Sequence, residues 1–436
     1  MDFKQIYQDK VISKKEIAAK IESNDVIFMA PVVCAPIHLM QAIGKRKDEL
    51  TNVHVYSTLL LYPFEFLGGE FKGHINYHSF FMGPLERNFV PFGNVDVTSV
   101  HFSQVGLMLE KINPNVAIME CTPPDENGMM NFGPTGAAAN ALACKLAKKI
   151  LVQVNKFLPR CCGEGNEINV NDVSWIMEKD HELAELPQPE TTDVDRAIAA
   201  NILPHIADGS CIQIGLGGVA NAVGFGLESK KDLSVHTEML TDSMVYLIKK
   251  GAINASKKNY MPNKLVCGFG IGNQELYDFM DGNELIHLAS IWKVNNPDEI
   301  AKNDNFVSIN TALMVDLTGQ VGAESIGYNQ FSCTGGAFDF VEGATKAKNG
   351  KSFICIASTV NSKTEGLKSR ITITLPPGTA VTTPRANVQY IVTEYGVADI
   401  YNKSISERVH ALIAVAHPDF RDQLLADAKA NKLIFE

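Results

Sequence analysis

One order of local patterns occurs twice in this chain, and that duplication limits what it can fold into. A capping-box sequence, SKKE at 13–16, opens an amphipathic stretch through Ile17 and Ile21. A hydrophobic run follows, DVIFMA at 25–30, then a turn of small residues, PVVCAP. Next come a helical pattern through Ile37, Met40 and Ile43, a charged break, KRKDEL, and an alternating run, NVHVYS. From Thr192 the order returns. TTDVD caps a helix through Ile198 and Ile202, and Asp208-Gly209 precede the strand SCIQIG. The turn GLGGVANA leads into a short helix ending near Leu227, and after the break ESKKDL comes the strand SVHTE. The later parts also match. NVAIMECTPP, PTGAAANALACKLAKK and ILVQVN in the first half answer to NTALMVDLTGQVG, TGGAFDFVEGATKAKNG and SFICIA in the second.

Strands that alternate with helices predict open α/β sheets. The repeat is too long for a solenoid, so the expected fold is α/β, two tandem copies of one open α/β domain. The proline-bearing stretch 183–192, LAELPQPETT, is the expected joint. It gives an N-terminal domain at 1–186 and a C-terminal domain at 187–436, with Pro187 and Pro189 as a candidate hinge.

The bulk numbers exclude some functions. The chain has 436 residues and a formal net charge of −10, which argues against a nucleic-acid surface spread over the whole chain. The first residues, MDFKQIYQDKVISKKE, lack the apolar core of a signal peptide, and no run has the length of a membrane span. A cytoplasmic protein is expected. The nine cysteines are odd in number and scattered, with no C-x-x-C, which fits reduced thiols packed in cores. His74 and His78 have the i,i+4 spacing of a metal pair but no evident third ligand, so no metal is expected and packing or pocket lining is preferred.

Chemistry concentrates in the second copy. Leu233–Thr237 reads as a strand, and Thr241 or Asp242 caps a helix that stops at Gly251. Glu238 is therefore expected where a strand ends and a helix is about to begin, the position where ligands gather in open α/β sheets. Aligning the Val-His pairs of the two copies, Val53-His54 and Val235-His236, sets Tyr56 opposite Glu238. The first turn, 30–36, has no glycine. Only the second copy thus combines a carboxylate with a glycine-rich loop, and the first is expected to shape the substrate cleft, its aromatic stretch 64–92 walling a small acyl group. Two chemistries fit those glycines. Gly215-x-Gly217-x-x-Ala220 matches the dinucleotide fingerprint, with Glu238 about twenty residues on as a ribose-binding acid. Alternatively, Glu238 attacks an acyl thioester, and loop N–H groups stabilise the oxyanion.

The chain resembles the acetyl-CoA hydrolase/transferase family of CoA-transferases over essentially its full length. The segments that carry the resemblance are HSFFMGPLERNFVPFG, CTPPDENGMMNFG, GLGGVANAV, VHTEMLTDSM, TGGAFDF, TTPRANVQYIVTEYGVADI and HPDFRDQL. It implies a duplicated CoA-transferase fold and a thioester-forming glutamate at Glu238. It places the CoA-contacting loop at Gln213, Ile214, Gly215, Leu216, Gly217 and Gly218, with oxyanion N–H groups from Gly217 and Gly218. An amide donor falls at Asn310 and a second glycine contact at Gly335 and Gly336. No permanently bound cofactor is implied. Coenzyme A is substrate and covalent intermediate in a ping-pong exchange between a short-chain acyl-CoA, acetyl-CoA or butyryl-CoA, and a carboxylic acid such as 4-hydroxybutyrate. A homodimer without nucleic-acid or membrane partners is implied, and an acyl-CoA hydrolase is the near alternative.

Arg87 and Arg385 are candidates for a phosphate or carboxylate. Glu394 in VTEYG follows a strand but lacks a glycine loop and reads as structural. Cys333 beside TGG reads as a packed thiol rather than a nucleophile. The end, HPDFRDQLLADAKANKLIF, reads as an amphipathic helix with a short tail.

Overall fold

The computed structural model describes residues 2–362, 364 and 366–435. Its first sheet contains β1 (Val26–Met29), β2 (Val53–Ser57), β3 (Ile75–Ser79), β4 (Val95–Val97), β5 (Val116–Cys121), β6 (Lys149–Val154) and β7 (Trp175–Glu178). They lie in the order β4-β3-β2-β1-β5-β6-β7, with every neighbouring pair parallel. The second sheet contains β8 (Cys211–Ile214), β9 (Ser234–Leu240), β10 (Leu265–Gly270), β11 (Ile286–Leu288), β12 (Phe306–Thr311), β13 (Lys351–Cys355), β14 (Tyr390–Thr393) and β15 (Gly396–Asp399). Their order is β11-β10-β9-β8-β12-β13-β14-β15. The first order, shifted by seven labels, is the second, with β15 added as an antiparallel edge. The duplication legible in the sequence is thus a duplication of topology. The apolar runs behave as strands covered on both faces: all six residues of β5 and all four of β8 are buried.

By compactness the chain divides into two units. One holds Met1–Pro187, Glu238–Asp242 and Val266–Val294, and the other Gln188–Thr237, Ser243–Leu265 and Asn295–Glu436. In each, the helix opened by the capping-box sequence has that box. Ser13 caps α1 (Lys14–Ala18), where Glu16 Oε2 accepts from the Ser13 N–H at 2.9 Å. Thr192 caps α2 (Asp193–Ile202), where Asp195 Oδ2 accepts from the Thr192 N–H at 2.9 Å. Helix α1 is shorter than its sequence pattern: it ends at Ala18, and Ile21 reaches the core from the following turn. The expected helix from PTG onward also starts late. Gly133–Ala138 is a buried 3-10 stretch, and the α-helix, α3, spans Asn140–Leu146. The C-terminal helix α4 (Pro418–Ala430) buries Leu424 and Ala428 against the cluster that holds Ile354, Ile391 and Leu412.

Strand register corrects the pairing of Tyr56 with Glu238. The Ala30 N–H donates to Ile118 O and the Gly215 N–H to Ile309 O, each at 2.9 Å, so Ala30 and Gly215 are equivalent. Val26 is level with His54, and Cys211 with Ser234. Tyr56 therefore answers to His236, and Thr58 to Glu238. The shared Val-His pair is a coincidence of composition, because register is set by backbone hydrogen bonds and not by local identity.

Candidate active site

The two amides singled out in the second copy are bonded to each other. Gln213 Nε2 donates to Asn310 Oδ1 at 3.1 Å, and Asn310 Nδ2 donates to Gln213 Oε1 at 3.2 Å. They stand near the carboxyl ends of the adjacent parallel strands β8 and β12, both buried. A reciprocal amide pair fixes both side chains and leaves each one further N–H. Gly215 lies over it: a Cβ there would sit 3.8 Å from Asn310 Oδ1 and 3.5 Å from Ile309 O.

The turn that follows opens α5 (Gly218–Gly226). Gly217 is its N-cap with φ 115° and ψ 179°, a region only glycine populates readily. Gly218 packs against the Asp195 side chain so closely that a Cβ would collide with it. The Gly215 N–H is committed to Ile309 O. Those of Leu216 and Gly217 meet no acceptor among the described residues, and both residues are at least partly open to solvent. The helix N-terminus behind them adds its own unbonded donors.

The equivalent place in the first copy is filled. Phe28 and Met119 stand where Gln213 and Asn310 stand, both fully buried. Val32 occupies the place of Gly217 and takes φ 60°, which a β-branched residue adopts at a cost of about 1–2 kcal/mol. Its neighbours Val33 and Cys34 are buried too.

Glu238 sits inside β9, two residues before its end, and not past the strand as the sequence pattern suggested; the next helix, α6 (Asp242–Lys249), follows. It is the only half-buried residue of β9, whose other six are buried. Gly268 on β10 comes close to it: a Cβ there would lie 3.1 Å from the Glu238 carbonyl oxygen. Ile212 is level with Val235 in the parallel β8–β9 pair.

Gly335, with φ 60°, and Gly336, the N-cap, lead into α7 (Ala337–Lys346). This loop is tied by a residue that the sequence pattern did not single out. Glu324 is buried, with Thr334 Oγ1 donating to Oε2 and Thr382 Oγ1 to Oε1, each at 3.2 Å. One carboxylate thus joins the TGG and TTPR segments. No local signal marks it, since Glu324 lies in a short irregular stretch and its partners are 10 and 58 residues away.

Other candidates separate. Glu394 accepts from the Ser358 N–H at 2.9 Å and the Ser358 hydroxyl at 2.6 Å. Arg385 is exposed, Arg87 half-buried and Cys333 buried. His74 Nδ1 contacts Leu50 O at 2.8 Å, whereas His78 Nε2 faces His54 Nδ1 at 2.8 Å. Among the described residues no group of three His, Cys, Asp or Glu could hold a metal. Part of the aromatic stretch lines a groove of about 840 Å³, with Phe64, Phe66, Phe89 and Phe92, and Phe64, Phe66, Phe71 and Phe80 are buried in the core. A second buried carboxylate, Glu120, accepts from His181 Nε2 at 2.9 Å, Gln153 Nε2 at 2.7 Å and Asn155 Nδ2 at 3.0 Å. Burial pushes the Glu120 carboxyl up. Burial also works against a charged His181, but the hydrogen bond and charge of Glu120 outweigh it and raise the imidazole above its ordinary value.

A duplicated open α/β fold, with a glycine turn, a buried amide pair and a half-buried carboxylate in an otherwise buried strand, fits a group-transfer enzyme. Comparison with known proteins names the class. The model of the acetyl-CoA hydrolase/transferase N-terminal domain matches residues 1–186, and that of the acetyl-CoA hydrolase/transferase C-terminal domain matches 272–428. The 4-hydroxybutyrate coenzyme A transferase of Clostridium kluyveri is 38% identical over 431 residues, covering 98% of this chain and 99% of that one. The butyryl-CoA:acetate CoA-transferase of Anaerostipes caccae is 39% identical over 443 residues, with 99% of each chain covered. A crystal structure of 4-hydroxybutyrate CoA-transferase from Porphyromonas gingivalis superposes with a TM-score of 0.83 at 31% identity, covering 99% of this chain and all of that one. The chain belongs to the acetyl-CoA hydrolase/transferase family and is a CoA-transferase. That membership replaces the dinucleotide reading of Gly215 and Gly217. No helix among the described residues is long and apolar enough to cross a membrane.

Proposed function

We propose that this enzyme moves CoA between a short-chain acyl-CoA and 4-hydroxybutyrate through a thioester on Glu238. The observation that carries the reading is that Glu238 alone is partly open in a strand otherwise buried, which presents an ionisable nucleophile from a rigid element. The carboxylate attacks the thioester carbonyl of acetyl-CoA, and the C–S bond breaks to give an acetyl–glutamyl anhydride and CoA thiolate. The thiolate attacks the glutamyl carbonyl, releasing acetate and leaving glutamyl-CoA. A second carboxylate attacks that carbonyl, CoA thiolate leaves again, and it attacks the new acyl carbonyl to form the product thioester and regenerate Glu238. The overall exchange breaks one thioester and forms another of comparable energy, so neither ATP nor a metal enters the balance.

The N–H groups of Leu216, Gly217 and Gly218 are the oxyanion donors in this reading, with Asn310, held by Gln213, as a side-chain donor. Gly335 and Gly336 contact CoA. Butyrate and acetate are the alternative acids, since the relatives' names include both exchanges. A homodimer in the cytoplasm, with domains at 1–186 and 187–436, completes the proposal. Initial-rate kinetics test it. Parallel double-reciprocal lines for acetyl-CoA against 4-hydroxybutyrate, with Glu238→Ala inactive, support it. Intersecting lines, or a Glu238→Ala enzyme of normal rate, contradict it. Water attacking glutamyl-CoA would make the same site a hydrolase, read as free CoA accumulating with no acceptor present.

A further inference from the structure

One cation in the second unit is not exposed and has no partner among the described residues. Arg370 is half-buried, and its guanidinium makes no hydrogen bond or ion pair among the described residues. Its backbone is held on both sides. The Arg370 N–H donates to Ser358 O at 2.8 Å, and Arg370 O accepts from the Val315 N–H at 3.0 Å. Ser358 lies three residues past the end of β13 and Val315 four past the end of β12, the strand that carries Asn310. Arg370 therefore stands at the carboxyl ends of these parallel strands, the edge where open α/β sheets bind ligands.

The carboxylate nearest in effect is already engaged. Glu394 raises the charge preference of Arg370, but its two carboxyl oxygens are held by the Ser358 N–H and hydroxyl at 2.9 and 2.6 Å. Burial dominates and lowers the Arg370 pKa from the ordinary arginine value, the mark of a cation short of compensating contacts. The other buried arginine of this unit shows the contrast. Arg408 donates to Lys403 O, Thr318 O and Arg385 O at 3.0, 3.3 and 2.7 Å, and so is a structural cap. A half-buried guanidinium whose five donors meet no acceptor among the described residues is built to receive an oxyanion.

We propose that Arg370 binds an oxyanion of a substrate, either the carboxylate of the acid or a phosphate of CoA. This rests on the CoA-transfer reading and adds to it an anion subsite that none of the sequence motifs marks. The test compares wild type, Arg370→Gln and Arg370→Lys. Calorimetric titration with CoA gives one arm, and the KM for acetate in acetate–acyl-CoA exchange gives the other. Loss of a charge-assisted fork predicts weakening of about tenfold or more in Arg370→Gln, with partial recovery in Arg370→Lys. A weaker CoA titration with unchanged acetate KM assigns the phosphate, and the converse assigns the carboxylate. Both quantities within twofold of wild type in a folded Arg370→Gln overturn the proposal. If that variant does not fold, the same result in Arg370→Lys overturns it, because lysine keeps the charge and loses the fork. Wild-type enzyme that binds CoA yet exchanges nothing would defeat the transfer reading while leaving the calorimetric arm intact.

Discussion

At the scale of residues, the candidate site rests on a few polar groups that have committed partners. Removing the Asn310 amide leaves the buried Gln213 amide with an unmet donor and acceptor. Asn310→Ala is expected to destabilise by about 1–3 kcal/mol, read by urea unfolding. It is also expected to lower kcat by about 10²-fold, in line with losing one oxyanion donor. A normal kcat in a folded Asn310→Ala would remove Asn310 from the chemistry and leave it a purely structural role. Glu324→Gln tests the tie between the TGG and TTPR segments. One threonine hydroxyl loses its acceptor, and the KM for acyl-CoA should rise by more than kcat falls. The sequence pointed to Glu238 through its local strand pattern, and to Gln213 and Asn310 through the resemblance to the family. It was silent on Glu324 and Arg370, whose environments are made by partners distant along the chain or by burial itself, and neither leaves a trace in local spacing.

At the scale of elements, backbone geometry carries as much of the site as side chains do. Nothing stands within 4 Å of a Cβ added at Gly217, so crowding does not explain its identity; its φ of 115° does. Gly217→Ala should therefore cost about 1–3 kcal/mol through strain alone, measured as a lower denaturation midpoint with an unchanged m-value. The same comparison explains why strand identity was easier to read than register. Alternation and β-branched residues identify β2 and β9 as strands. The correspondence of Thr58, and not Tyr56, to Glu238 is fixed by hydrogen bonds to neighbouring strands that sequence does not display. The Glu120–His181 pair gives a pH prediction at this scale. His181 has a folded pKa above its unfolded one, so its stabilisation is complete below the ordinary histidine value and is lost as pH rises through the raised folded value. The upward shift of Glu120 has the same sign. His38, lowered by burial and by His181, has the opposite sign and acts below the ordinary value. Unfolding free energy should fall as pH rises above the histidine range, and His181→Gln should flatten that fall.

At the scale of the whole molecule, two copies of one topology differ in what they hold at the same place. The first copy keeps the turn with Val32 at positive φ but fills it with Val33 and Cys34, and it replaces the amide pair with Phe28 and Met119. The duplication and its strand order were legible because each copy repeats a long succession of elements. The plugging of one copy was legible only as the absence of glycine, and packing gives it physical content. One modified residue per chain is therefore expected, on Glu238. The most direct measurement is the intact mass after brief incubation with acetyl-CoA and no acceptor acid, followed by peptide mapping. The account predicts a single CoA-sized adduct per chain, on the peptide that holds Glu238, absent in Glu238→Ala. An adduct on another peptide, or turnover with acids while no adduct forms, would contradict it.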